Sequence, residues 1–453
     1  PNLSGKVTGD TQLFEQGALP TGDNSSITTY KDILNLASEV GDPSLVYRFM
    51  SLASNNAIWA SRAAFGRFGL SSVLSDSSVN GYLSKNPKIY PKLYRYRFDP
   101  NPNVQRSMND IWQALVKDPN AVLDTHFDAI MEDLLSNILS GKEWRVRQAC
   151  CAAIADLLQG RKVEKYDKYL NEILTKAFKV LDDIKESVRA AALRLCQAIT
   201  NMLIQTLETG DTTSKRAQVM LGHVVPFLLG SGGMESSAQN VQAYAITTLI
   251  QIVKKCPNVL LRPYIPQILE KFLASLSSLE PQAVNYIHLN ADKYGLTGDE
   301  IDRMRLSSIR MSPMMETIER YLLDGLDEPS MKDTATSLEG VLRTAVGLPS
   351  KVGCSRVLVH LSTRSYHFRP YADKFVQLLK KHVLDRNDTV SVSYSYALGY
   401  LMRLASDGRV VDTIEFAKGL YFDAQEPRHR VVSGEIIHSM AKLSSDRFAH
   451  FAA

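Results

Sequence analysis

The sequence is poor in cysteine, in clustered histidine and in long apolar runs, and each shortage removes a class of protein. Five cysteines, Cys150, Cys151, Cys196, Cys256 and Cys354, leave an odd count with one adjacent pair and no C-x-x-C. That pattern builds neither a secreted disulfide framework nor a thiolate zinc site, so a reducing compartment is expected; the expected location is cytoplasmic and nuclear. The nine histidines are scattered, with no H-E-x-x-H and no pair four apart, so no metal and no other cofactor is expected. No apolar stretch approaches the roughly 18 to 20 residues that cross a bilayer, which removes direct membrane insertion. An excess of one charge is also missing. Lys plus Arg number 52 against 48 for Asp plus Glu, a net charge of +4. Dedicated binders of the phosphate backbone concentrate far more positive charge, so nucleic acid is not the expected partner.

What is present is the balance of a folded chain: 453 residues, 45% hydrophobic and 22% charged. At about 150 residues per domain this length suggests three domains, unless the chain is a solenoid, which lengthens without thickening. Apolar residues recur three and four apart in almost every window. In the run 169–181, Leu170, Ile173, Leu174, Ala177, Phe178 and Leu181 form one stripe, with Glu172, Lys176 and Lys179 elsewhere. Such a stripe needs a neighbour to bury it. The helices read as about ten to sixteen residues long, the ordinary range for globular proteins. Short turns such as 99–103 and 385–388 separate them, with Asp and Asn able to cap the next helix.

The pattern repeats. Val104, Val146 and Val188 lie 42 residues apart, and Phe127 and Tyr169, which lead the preceding helices, share that spacing. Val390 and Arg428 mark later copies 38 residues apart, and Ala192, Ala245 and Ala397 occupy small-residue slots. A period near 40, with an Asp-turn-Val-Arg step between two antiparallel helices, is the HEAT pattern. The expected fold is all-α, a HEAT-repeat solenoid of stacked antiparallel helix pairs. Asp99, Arg147, Asp183 and Arg189 are expected to form a ladder of pairs and caps along the turns, with Val104, Val146 and Val188 in the seams. The solenoid is expected to run continuously over 29–453. The first 28 residues, rich in Gly, Ser, Thr and Asp, read as an extended arm or linker. Irregular loops are expected near 207–216, because Val188 and Val241 are 53 residues apart, and near 278–312, which would project. The opening Pro1-Asn2-Leu3-Ser4-Gly5 is neither an initiator methionine nor a signal peptide, so the chain is expected to be part of something longer.

Catalytic motifs are weak. Gly230-Ser231-Gly232-Gly233 lacks the following Gly-Lys-Ser/Thr and a preceding strand, and reads as an inter-helix turn. There is no G-x-S-x-G elbow, and Cys150 and Cys151 lie on the apolar run of a repeat helix. The sharpest cluster is Lys88, Tyr90, Lys92, Tyr94, Arg95, Tyr96, Arg97 and Phe98, where cations and aromatics interleave. It could hold single-stranded nucleic acid or another partner. The favoured alternative is a repeat helix whose tyrosines pack inward under the stems of Lys and Arg. Met314 and Met315, beside Pro313, are candidates for an adaptable docking surface, with core filling the favoured alternative.

Several strings are more specific than the period. They are Leu45-Val46-Tyr47-Arg48-Phe49-Met50, the stretch 93–101, Trp144-Arg145-Val146-Arg147, the stretch 182–189 and Ser312-Pro313-Met314-Met315-Glu316-Thr317-Ile318. They resemble the C-terminal portion of the proteasome adaptor and scaffold family, the large ECM-type HEAT-repeat proteasome components, from about residue 10 onward. The resemblance implies a non-enzymatic solenoid that bridges the proteasome core particle and the ATPase ring of the regulatory particle. It also implies quality control and restraint of proteasomes, and links to vesicle or trafficking proteins. It carries over no catalytic residue and assigns no contact surface. Two alternatives are a nucleic-acid-binding solenoid using residues 88–98 and a transport-type solenoid. The latter requires an acidic inner face, whereas Arg145, Arg147, Arg189 and Arg430 occupy the turns here.

Overall fold

The computed structural model describes residues 89–279 and 297–452. The arm at 1–28, the string at 45–50 and Lys88 therefore lie outside the described residues. Every regular element among the described residues is helical. The chain divides into two compact units, one holding the described residues up to Leu203 with Val219–Val224, the other Ile204–Gln218 with Val225 onward.

In the first unit the helices Ile89–Tyr96, Phe127–Asn137 and Leu170–Lys179 are first members of successive pairs. Ile89–Tyr96 packs on Phe127–Asn137, which packs in turn on Leu170–Lys179. The 42-residue spacing is visible in contacts: the Phe127 and Tyr169 rings lie 6.3 Å apart, and the Tyr169 hydroxyl donates to Asp128 at 2.8 Å. Lys176 Nζ likewise donates to the Leu135 carbonyl, 41 residues back. The stripe read from the sequence is the buried face of its helix, with Leu170, Ile173, Leu174, Ala177 and Phe178 all inside.

The second unit repeats the plan with a shorter period. First helices Glu328–Thr344, Ala372–His382 and Asp407–Phe422 alternate with second helices Leu348–Arg364, Asp388–Leu401 and Pro427–Leu443. Each second helix packs along the next. Small residues line that seam: Ser355 and Ser393 share a 2.8 Å hydrogen bond, and the Ser444 hydroxyl donates to the Gly399 carbonyl at 2.6 Å. Helix starts follow capping chemistry. Asn101, Ser214, Thr297, Asp327 and Asn387 each accept an otherwise orphaned amide from the first turn.

Two features depart from the sequence reading. The helix Glu186–Glu208 is 23 residues long, beyond the expected range, so of the loop expected near 207–216 only 209–214 is a turn. Within the stretch expected to be irregular, Gly298–Met311 is a helix opened by a capping box between Thr297 and Glu300. It does not simply project: it packs on Leu348–Arg364, and Asp302 Oδ2 accepts from Thr389 Oγ1 at 3.2 Å and from Asn387 Nδ2 at 3.4 Å. The physical reason is a polar anchor offered by the Asn387 turn, which sequence spacing does not reveal.

Candidate partner-binding surfaces

The ladder residues meet at the turns. Asp99, Asp183 and Asp385 share one local geometry, each Oδ1 accepting the amide two residues on, from Asn101, Lys185 and Asn387, at 2.9 Å. This ties the turn; Asp183 and Asp385 then offer Oδ2 to a neighbouring repeat, while Asp99 accepts there through the same Oδ1. Arg145 reaches Asp99 at 2.7 Å, Arg147 reaches Asp183 at 2.6 Å, and Lys351 reaches Asp385 at 2.7 Å. The Trp144-Arg145-Val146-Arg147 string is thus a two-way bridge, one arginine to the preceding turn and the other to the following one. Arg189 donates to the Asp183 carbonyl, and Arg428 donates to the carbonyls of Leu384 and Asp385. Val104 and Val188 are fully buried, while Val146 is half-buried. Burial alone would raise the Asp183 carboxyl, but Arg147 and the Lys185 amide outweigh it and hold it below the ordinary carboxylate value.

The cation and aromatic cluster is built into the interior. Tyr94 is fully buried and donates to Asp156 at 2.7 Å; burial first, then that carboxylate, push the phenol upward. Arg97 lies 4.6 Å over the Trp112 ring and donates to Asn109 at 2.9 Å. Its desolvation lowers the guanidinium from its usual value. Arg95 is buried against Asp133, which also takes Lys92 at 2.7 Å. Met314 and Met315 are buried as well. The structure therefore gives Tyr94, Arg95, Met314 and Met315 to packing, and leaves Arg97 half-buried under aromatic rings. None of these five candidates presents an open side chain, because each repeat must bury its apolar face and pair the charges it covers.

Thiol chemistry is similarly enclosed. All five cysteines are buried and unpaired. Burial pushes Cys151, Cys256 and Cys354 up to about 12. These are thiols and not nucleophilic thiolates at neutral pH. Among the described residues no group of three or more His, Cys, Asp or Glu side chains is placed to hold a metal ion.

One open apolar strip lies on a second helix of the second unit. Asp388–Leu401 buries Val390, Tyr394, Ala397, Leu398 and Leu401, yet Val392 and Tyr396 on its other face are 46% and 42% exposed. Tyr400 extends this strip: its ring stands edge-on to Tyr396 at 5.1 Å, and Arg403 lies over it at 5.0 Å. Sequence reading missed this face. A signal was available, because a helix apolar on both sides buries one and offers the other.

Within each unit, antiparallel helix pairs linked at their turns by Asp and by Arg or Lys give the architecture of a HEAT-repeat protein. Residues 261–422 match the HEAT-repeat domain of the proteasome adapter and scaffold protein ECM29, and relatives of that name match the chain along nearly its whole length. It is 38% identical over its whole length to the Saccharomyces cerevisiae protein named proteasome component ECM29, of which it covers 24%. It is 36% identical over 97% of its length to the Homo sapiens proteasome adapter and scaffold protein ECM29, covering 23% of it. The Schizosaccharomyces pombe proteasome component ecm29 is 30% identical over 98% of the chain, with 26% of that protein covered. The chain thus spans about a quarter of the length of the curated relatives it matches.

Proposed function

We propose that the chain is a non-enzymatic scaffold segment that binds the proteasome, contributing to a bridge between the core particle and the ATPase ring of the regulatory particle. The observation that carries this reading is the 38% identity, sustained across the entire chain, to a protein named as a proteasome component. The architecture supports it, since stacked helix pairs supply long surfaces with many modest contacts and a few anchoring side chains. Restraint and quality control of misassembled proteasomes, and links to vesicle or trafficking proteins, are proposed consequences of such tethering. Action in the cytoplasm and nucleus is part of the proposal, and five unpaired thiols support a reducing compartment.

Cross-linking mass spectrometry on the full-length parent with purified proteasomes tests the reading. Cross-links from this segment to core or ATPase subunits are expected. A parent that associates with neither intact nor core-deficient particles rejects it.

A further inference from the structure

Charge is divided unequally between the two helix layers of the second unit. The first helices Glu328–Thr344, Ala372–His382 and Asp407–Phe422 hold seven acidic and seven basic residues. The second helices Leu348–Arg364, Asp388–Leu401 and Pro427–Leu443 hold six basic residues and only two acidic ones, Asp388 and Glu435. Some of those cations serve the fold: Lys351 pairs with Asp385, Arg356 with Glu319, and Arg428 with turn carbonyls. Arg364 and Lys442, at the last turns of their helices, have no carboxylate partner among the described residues. Between them Arg403 bonds the Leu443 carbonyl at 2.6 Å, so the ends of adjacent second helices lie side by side. The helix dipole accounts for cations at C-terminal ends, but not for the scarcity of acids within the second helices themselves; Asp302 of Gly298–Met311 meets this layer at the Asn387 turn, at the opposite end of Asp388–Leu401 from Arg403.

We propose that this layer receives an acidic peptide segment of a partner protein. Its carboxylates would lie on Arg364, Arg403 and Lys442, and an aliphatic or aromatic side chain would seat on Val392 and Tyr396. The inference rests on the scaffold reading and specifies one surface of it. A peptide is favoured over single-stranded nucleic acid because Tyr396 and Tyr400 stand edge to face with hydroxyls 3.2 Å apart, an arrangement that does not offer two open stacking platforms. Exposed Val392 adds an aliphatic contact of the kind a helix or extended segment uses.

Fluorescence anisotropy with the full 453-residue chain tests this. The probes are a labelled Glu-rich peptide with Leu and Phe at helical spacing, the same peptide with Lys replacing Glu, and a single-stranded RNA. The acidic peptide is expected to bind at least about tenfold more tightly than its Lys counterpart and to weaken as salt rises. Tyr396→Ala with Tyr400→Ala, and separately Arg364→Gln with Lys442→Gln, should each reduce binding about tenfold while the circular dichroism spectrum stays unchanged and melting stays cooperative. Absence of acidic-peptide binding, equal binding of the two peptides, or RNA binding abolished by the same substitutions overturns the inference. Proteasome cross-linking of the parent is judged separately, so the scaffold reading and this surface can fail independently.

Discussion

Replacing Gly399 with alanine probes how closely the second helices approach. A Cβ built on Gly399 would sit 2.7 Å from the Ser439 carbonyl oxygen and 2.8 Å from its carbon, both backbone atoms of Pro427–Leu443. No rotamer change relieves that contact, so the two helices must separate by several tenths of an ångström. Overpacking of this kind costs about 1–3 kcal/mol. Alanine in a helix returns up to about 1 kcal/mol relative to glycine. The net expectation is a loss of about 1 kcal/mol. Gly419 and Gly434 are the internal controls, because both lie within helices of the same unit and a Cβ there meets nothing within 4 Å. Their alanine variants should gain roughly 0.5–1 kcal/mol. Urea midpoints on the three single variants decide the matter: Gly399→Ala should fall below the parent and the other two should rise. Should Gly399→Ala rise with its controls, the close seam, and with it the packing of the second helices, is wrong.

Other perturbations address the first unit and the thiols. Arg147→Ala leaves Asp183 with its turn amide but without its counter-charge, and should cost about 3 kcal/mol near neutral pH. Because the Asp183 pKa is depressed on folding, its stabilisation is present above an unfolded value near 3.9 and is lost as pH falls through the folded value; Arg147→Ala should flatten acid unfolding in that range, which a pH series of melts measures. Val188→Asp puts a charge at a fully buried seam and should cost on the order of several kcal/mol, so an unchanged melting curve would show the repeat register to be misplaced. Tyr94→Phe removes the hydroxyl that bonds Asp156 and should cost about 1–2 kcal/mol by urea denaturation. A colourless disulfide reagent that releases a chromophore on thiol attack should react slowly with the native chain and with all five cysteines after unfolding; rapid reaction at Cys150 or Cys151 in the native protein would contradict their burial.

The residues show how far local chemistry reaches. The 42-residue spacing of Phe127 and Tyr169 became a ring contact, and the stripe from Leu170 to Phe178 became a buried face, because a helix pair has nowhere to hide its apolar side except against the next pair. The capping residues were likewise readable, since Asn101 and Asn387 bond amides within their own turns. The insertion near 278–312 was readable as a break in rhythm but not as a helix held by Asp302, because its anchor comes from a turn 85 residues away.

By itself the sequence determined the helical class, the repeat length and the Asp and Arg turn chemistry, all of which depend on neighbours within one or two turns or on a fixed period. Tertiary structure alone decided which aromatics and cations face outward. Tyr94 and Tyr396 both sit beside other aromatics on repeat helices, yet one is enclosed by Asp156 and Trp112 and the other stands open. A side chain's exposure is set by what the adjoining repeat places over it, and that depends on the stack and not on the residue's own spacing.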